Sequence, residues 1–447
     1  MNRSPRVLLV GYNGADNTGA EARVVAAIKD VRAVMGPRAL ITVPTLNVEK
    51  THRYIQDASN VSLVQIPIVY FMAMRKLVHE HDLILLVEGS VYMDSWSSLL
   101  LWYFLWPTRL AHAYGKPCVA YAVDVGSASP ANQGHIRREA NKTDLIITRT
   151  HVAAETLRRW GVTAPIETTA DLAVDFPIDP KDDGVLPAEW PGSDRGVVGM
   201  SMVDFYRFPV VVRPWGPRSD VYSWPVYFTD SPEQRHHSEA LTAEYVATAD
   251  RLIDEHGRRV ALVCMEELDE VIAHRVQASV RHPDQTRIFS ARDHNASQMT
   301  SVVRSLDLLI TARYHGSVLA LGGLRPQIAF GHDLRLKTLY QELGLYPEFF
   351  IEAHEADRFE RLNREVDRLL ARPDDHLEKL RLGYQDQLAR ARRNRDLLAQ
   401  FVSQHGWGFR HGRRDLSHWW HRIPGHTDRQ APHGSDGQPA DRPRAGT

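Results

Sequence analysis

Short apolar, β-rich runs alternate with helical stretches twice along this chain, once on each side of a segment that supports neither pattern. Before the break come RVLLVGY (6–12), a helical stretch over 20–34, ALITVPT (39–45), LILLVEG (83–89), PCVAYAV (117–123), and DLIITRT (144–150) leading into AAETLRRWG. After it come VVGMSMV (197–203), a helix near 238–256, VALVCME (260–266), a helix near 268–281, RIFSA (287–291), a helix near 295–305, DLLITAR (307–313), a helix from 315, and PQIAFG (326–331). Runs of four to eight apolar residues separated by helices predict parallel sheets covered on both faces. The break itself, PIDPKDDGVLPAEWPGSDRG (177–196), is dense in Pro, Gly and Asp and disrupts both periodicities. The expected fold is therefore α/β, with two Rossmann-like domains facing across a cleft. They are expected over 1–176 and 197–354, joined by a linker at 177–196. A charged helical segment should follow at 355–423, and a disordered tail rich in Pro, Gly, Asp and His at 424–447.

A chain of 447 residues is long for one core, which agrees with two domains. Its 54 basic and 55 acidic residues nearly cancel, and no Lys/Arg block marks the main body, so nucleic acid is not an expected partner. The two cysteines, Cys118 and Cys264, sit in apolar runs and read as small hydrophobes in a reducing compartment. With no secretory h-region in MNRSPRVLLVGYNG, the expected location is the cytoplasm. The apolar stretch LLLWYFLWP (99–107) is far below the roughly 20 residues of a spanning helix. Two readings remain open for it: a helix packed on a sheet, or, with Trp96, Trp102 and Trp106, a peripheral contact at the inner face of a membrane.

Two clusters carry candidate chemistry. The first strand runs into Gly11-Tyr12-Asn13-Gly14-Ala15-Asp16-Asn17-Thr18-Gly19-Ala20-Glu21. Its glycines suit a tight turn and a close approach to a ligand at a helix N-terminus. The spacing is neither a dinucleotide fingerprint nor a phosphate-binding P-loop, because Ala20-Glu21 stands where Lys and Ser/Thr would be. The plainer alternative is a turn capped by Asp16, Asn17 or Thr18, with Glu21 as a first-turn acid. The second cluster is Asp307-Leu-Leu-Ile-Thr-Ala-Arg313-Tyr314-His315-Gly316-Ser317, followed by His332-Asp333-Leu334-Arg335-Leu336-Lys337. Ligands of open α/β sheets bind off the carboxyl ends of strands, where Arg313 and His315 would project. Arg grips a carboxylate or phosphate with a fork and His moves a proton near neutrality, so the implied ligand is a small dianion. The alternative pairs Arg313 with Asp307 or Asp333 and leaves His315 as a cap.

In order and spacing the two clusters resemble the polysaccharide pyruvyl transferase family. Asp16-Asn17-Thr18-Gly19-Ala20-Glu21 follows its Gly-Asn-x-Gly-Asp-Glu turn from Asn17 onward except at Ala20. Asp307, Arg313, His315, Gly323, Pro326, Asp333, Arg335 and Glu342-Leu343-Gly344 fall on its C-terminal motif, and Asp144 to Thr150 and Thr169-Ala170-Asp171 resemble its middle motifs. The resemblance covers residues 6 to about 346 and implies a GT-B-like enzyme with an N-terminal acceptor domain and a C-terminal donor domain. The implied reaction moves a pyruvyl group from phosphoenolpyruvate, as co-substrate, to two hydroxyls of a glycan or lipid-linked sugar, with no cofactor and no metal. On that reading His315, Arg313, Asp16 and Glu88 are the catalytic candidates, with Asp94 a further carboxylate. Gly14, Asn17, Gly19, Glu21, Arg207, Asp333, Arg335 and Lys337 are the binding candidates.

Three departures qualify the match. Glu88-Gly89-Ser90 replaces a Gly-Gly-Gly, the Arg of the first C-domain strand falls at Val203, and Ala20 replaces an Asp. A second anion-binding Arg is accordingly expected from Arg207, or less favourably Arg213, converging with Arg313 and His315 on one pocket that faces Asp16 and Glu88. The competing functions are a nucleotide-sugar glycosyltransferase on the same fold and a non-catalytic glycan-binding relative.

Overall fold

A computed structural model describes residues 4–406, except 57–58, 68, 194–195, 208–209, 214, 217–220, 224–225 and 230. The expected disordered tail at 424–447, and the end of the expected helical segment from 407 onward, lie outside the described residues.

In the first half, strands β1 (Arg6–Val10), β2 (Leu40–Thr45), β3 (Val61–Gln65), β4 (Leu83–Leu86), β5 (Cys118–Val123), β6 (Leu145–Thr148) and β7 (Ile166–Thr168) form a parallel sheet in the order β3-β2-β1-β4-β5-β6-β7. Between them run α1 (Thr18–Met35), α2 (Val48–His52), α3 (Phe71–Glu80), α4 (Ser98–Ala113), α5 (Pro130–Ala140) and α6 (His151–Arg159). The order reverses beside β1 and β4, the place where open α/β sheets leave a crevice. All of β4 and β5 is buried, as expected of strands covered on both faces.

The expected linker is packed rather than extended. It holds α7 (Val185–Glu189), and Val185, Leu186 and Trp190 join the core of the second half. There β8 (Val197–Ser201) is followed by a small antiparallel sheet of β9 (Val210–Val212), β10 (Val221–Ser223) and β11 (Val226–Phe228). Next come α8 (Pro232–Asp254), β12 (Arg259–Cys264), α9 (Glu270–Ser279), β13 (Thr286–Ser290), α10 (Ala296–Ser305), β14 (Leu308–Thr311), α11 (Tyr314–Ala320), β15 (Gln327–Gly331), α12 (Leu334–Glu342) and β16 (Phe350–Glu352). The second parallel sheet has the order β13-β12-β8-β14-β15-β16. Helix α8 starts at Pro232, earlier than hydrophobic periodicity placed it, because Ser231 caps the Gln234 amide and Pro232 suits the first turn.

Helices α13 (Arg358–Ala371) and α14 (Asp374–Gln404) close the chain's described part. Helix α14 begins on the second half, where Leu380 joins that core, and ends on the first, where Leu398, Phe401 and Val402 pack with Val24 and Ile28 of α1. Each such buried side chain contributes about 1.5–3 kcal/mol, so the last turns of α14 hold the two halves together as a strap.

Candidate functional site

A cavity of about 810 Å³ opens between the carboxyl ends of the two sheets. One wall comes from the loops after β1, β4 and β5 and the start of α4; the other comes from the loops after β8, β12, β14 and β15. Of the twelve residues named from sequence, Asn17, Gly19, Glu88, Arg313, His315, Asp333 and Arg335 line it. Gly14, Asp16, Glu21, Arg207 and Lys337 do not.

His315 stands in the first turn of α11, where the chain leaves β14. Its ring lies over Gly19 of the opposite half so closely that a Cβ on Gly19 would sit 2.0 Å from Nδ1. The first motif's glycine is therefore there for the second motif's histidine. His315 Nε2 has no hydrogen-bond partner and faces Asp171 at 3.7 Å. Burial pushes the imidazole below its ordinary value, against the pull of Asp171, which favours its neutral form.

Asp171 is the hub of a buried charge network. It receives Arg23 Nη1 at 2.6 Å, Arg149 Nη1 at 2.5 Å and the Ala173 amide at 2.8 Å. Burial alone would raise its carboxyl, but Arg23 and Arg149 more than offset that and hold it well below the usual carboxylate range. Arg149 also donates through Nε to Asp124 at 2.7 Å, and its guanidinium lies 4.0 Å from the centre of the Tyr314 ring. Its Nη2 has no partner, although the residue is 1% exposed and lines the cavity. A Cβ on Gly89 would come within 2.8 Å of Arg149 Nη1, so the glycine of Glu88-Gly89-Ser90 makes room for this side chain.

Arg149 was quoted from sequence only as part of a middle motif, yet it is the buried cation that the site leaves unsatisfied. A signal for it existed. Asp144-Leu-Ile-Ile-Thr-Arg149 and Asp307-Leu-Leu-Ile-Thr-Ala-Arg313 are parallel segments, one in each half. Each Asp anchors the neighbouring strand's entry through an amide, Asp144 taking Cys118 N at 2.8 Å and Asp307 taking Gly196 N at 2.9 Å. Each Arg follows the strand's end.

Arg313 is less available than expected. Its Nε reaches Asp269 at 3.0 Å and its Nη1 reaches Glu266 at 2.9 Å, so its partners are neither Asp307 nor Asp333. Burial opposes its charge, and these two carboxylates restore and strengthen it. Arg335 is forked onto Asp333, with Nε at 3.0 Å and Nη2 at 2.6 Å, and its Nη1 points across the cleft to Ser90 Oγ at 3.5 Å. Glu88 is buried in the cavity wall, accepting from Gly89 N at 2.7 Å and Tyr12 N at 3.3 Å, and it carries no ion pair.

The remaining expectations need correction. Asp16, at φ +47°, is bound by Lys50 and by Arg53 Nη2 at 2.8 Å, outside the cavity. Glu21 accepts the Ala296 amide at 3.0 Å. Around them Asn17 forms an antiparallel bridge with Glu266, Thr18 N donates to Met265 O at 3.0 Å, and Arg53 donates to Ala291 O at 2.9 Å. This loop is a latch between the halves, and Asn17 is the cap of α1, accepting Ala20 N at 3.0 Å. Gly14, at φ +77°, packs against Thr45 and Asn47 and supplies the turn alone. Arg207 lies over the Phe228 ring at 4.5 Å and Arg213 over Tyr227 at 4.8 Å; neither joins Arg313 and His315, while Val203 itself lines the cavity. Lys337 pairs with Glu352 at 2.6 Å on the outside of α12. Asp94 holds Ser129, the cap of α5, receiving Ser129 N at 2.9 Å and Asn132 Nδ2 at 2.8 Å. Among the described residues no group of three or more His, Cys, Asp or Glu is placed to hold a metal ion.

The architecture is shared with several solved structures. A UDP-N-acetylglucosamine 2-epimerase from Neisseria meningitidis bound to UDP-GlcNAc aligns with TM-score 0.57 at 9% identity, covering 89% of this chain and 100% of that one. A glycosyltransferase from Rickettsia africae aligns at 0.53 and 10%, covering 90% and 99%. Arabidopsis thaliana UGT89C1 complexed with UDP aligns at 0.52 and 11%, covering 89% and 100%. At such identities the likeness defines the fold, a GT-B-like α/β architecture. The family model for polysaccharide pyruvyl transferases matches residues 17–333, and the chain belongs to that family. No curated protein matches the sequence.

Proposed function

We propose that the protein transfers a pyruvyl group from phosphoenolpyruvate to two hydroxyls of one sugar of a polysaccharide or glycolipid, forming a cyclic ketal and releasing phosphate. The observation that carries this reading is the pairing of Arg149 and His315, brought from opposite halves to one buried carboxylate, each with an unsatisfied nitrogen. A buried donor left without a partner costs about 1–3 kcal/mol, which an incoming anion recovers. Arg149 and Arg335 therefore take the carboxylate and phosphate of phosphoenolpyruvate, and Arg313, already neutralised, keeps the Glu266 loop in place.

Arrival of the anion favours the charged form of His315, with Asp171 behind it. The imidazolium gives its proton to the methylene carbon, so positive character builds at the neighbouring carbon bearing the phosphate. Glu88, the cavity carboxylate without an ion pair, accepts the proton of the attacking sugar hydroxyl, and the first C–O bond forms. Departure of phosphate breaks the C–O bond that held it to the same carbon, and the other hydroxyl forms the second C–O bond to that carbon, closing the ketal. Of the two hydroxyl protons, one replaces that given to the methyl group and the other leaves with phosphate.

The test supplies phosphoenolpyruvate and candidate glycans, then measures phosphate release and the mass of the glycan. The expected result is both phosphate and a ketal-linked product, with His315→Ala lowering kcat by about 10²–10⁴-fold. Turnover only with a nucleotide sugar overturns the reading in favour of glycosyl transfer. Calorimetric binding of a glycan without phosphoenolpyruvate binding, unchanged in His315→Ala, overturns it in favour of a non-catalytic role.

A further inference from the structure

Helices α3, α4 and α5 pack side by side on one face of the first sheet and share its core. Toward the cavity their outward positions are apolar. Val69, just before α3, is 75% exposed, Met72 on α3 72% and Trp102 on α4 44%, positions where a solvated surface would carry polar groups. Farther from the cavity the outward positions are basic: Arg75 and Lys76 on α3, Arg109 on α4, Arg137 and Arg138 on α5. The acids of these three helices are Glu80 and Glu139, and Glu139 is buried and paired with Arg138 and Lys142.

A line of rings joins this face to the cavity. Tyr103 and Tyr70, both in the cavity wall, lie 5.0 Å apart, Tyr70 meets Phe71 at 4.4 Å, and Phe71 meets Trp106 edge-on at 5.6 Å. Phe71, Trp102, Leu105 and Trp106 then line an apolar pit of about 280 Å³ together with Arg109, His135 and Glu139. An apolar, tryptophan-bearing tip ringed by cations matches the interfacial zone of an anionic bilayer, where rings insert at headgroup depth and Lys/Arg meet the phosphates. A second copy of the chain fits poorly, since a two-fold contact would press two patches of the same net positive charge together. No helix among the described residues is long and apolar enough to cross a membrane, so contact must be peripheral.

We propose that the α3–α4–α5 face docks on an anionic lipid surface, seating Val69, Met72 and Trp102 in the interface and turning the mouth of the cavity toward the bilayer. The docking goes beyond the proposed reaction and does not depend on it. Flotation of the full-length protein with vesicles of phosphatidylglycerol and phosphatidylcholine tests it without any turnover. The expected result is binding that requires phosphatidylglycerol, weakens with salt, and falls about tenfold or more in the Met72→Glu, Trp102→Glu double variant, with the melting temperature unchanged. Lys76→Glu, Arg109→Glu should weaken binding through the charge term alone. Absence of flotation, equal flotation of both variants and wild type, or a solution dimer that the first variant dissociates would each overturn the proposal.

Discussion

At the scale of the residue, the site turns on side chains whose partners differ from those their spacing suggested. Arg313 and His315 were legible, because an Arg-x-His at a strand's end projects into the crevice of an open sheet. That Arg313 is held by Glu266 and Asp269 was not, since those carboxylates reach it from the turn after β12, about 45 residues away in sequence, and no local pattern encodes the encounter. Arg149 is the residue on which anion binding should depend. Arg149→Lys keeps a charge near Asp171 and Asp124 but loses the fork, and KM for phosphoenolpyruvate is expected to rise about 10–100-fold with a smaller change in kcat, measured by initial rates. Gly19→Ala makes a sharper test. Alanine suits the first turn of α1 better than glycine by roughly 1 kcal/mol, which partly offsets the overpacking, yet its Cβ displaces the His315 ring. The expected outcome is a melting temperature within a few degrees of wild type and a kcat reduced about 100-fold.

At the scale of the element, the long buried strands and amphipathic helices were readable and the edges were not. Strand β3 has one fully buried position and β7 none, so neither carries the apolar run by which β4 or β5 announces itself. The turn before α1 was readable as a glycine-dependent loop, but its use was not, because the partners of Asn17, Glu21 and Arg53 lie in the other half. That use can be measured. Arg53→Ala removes donors to Ala291 and Arg292 and leaves buried Asp16 with Lys50 alone. Amide exchange at Thr18, which donates to Met265 across the cleft, is expected to speed up about tenfold or more, while exchange in the central strands stays unchanged.

At the scale of the whole molecule, the strap formed by α14 makes stability depend on pH. His376, in its first turns, is fully buried; its Nε2 accepts the Gln327 amide of β15 at 3.0 Å. Burial lowers its pKa to about 4, so the folded protein holds it neutral where the unfolded chain would protonate it. The stabilisation is complete above the unfolded value near 6.5 and is lost as pH falls from there to about 4, amounting to about 3 kcal/mol. Burial raises the Asp30 and Asp269 carboxyls to about 6, which acts in the opposite direction over the same window, so the His376 effect is read as a difference: urea titrations should show wild type losing about 3 kcal/mol relative to His376→Gln, which cannot charge, between pH 6.5 and about 4. The two-sheet architecture itself was legible from the doubled alternation, whereas the return of α14 to the first half was not, since a charged amphipathic helix shows that it packs without showing where.

Asp171 lies just past the last strand of the first half, yet it faces a histidine carried by the second. The distance between them is therefore a property of how the halves meet, and so is the proton affinity of that histidine. A shift of an ångström between the sheets would retune the imidazole without altering any residue around it, which makes the fit of two cores, far from the cavity, the setting of its pH response.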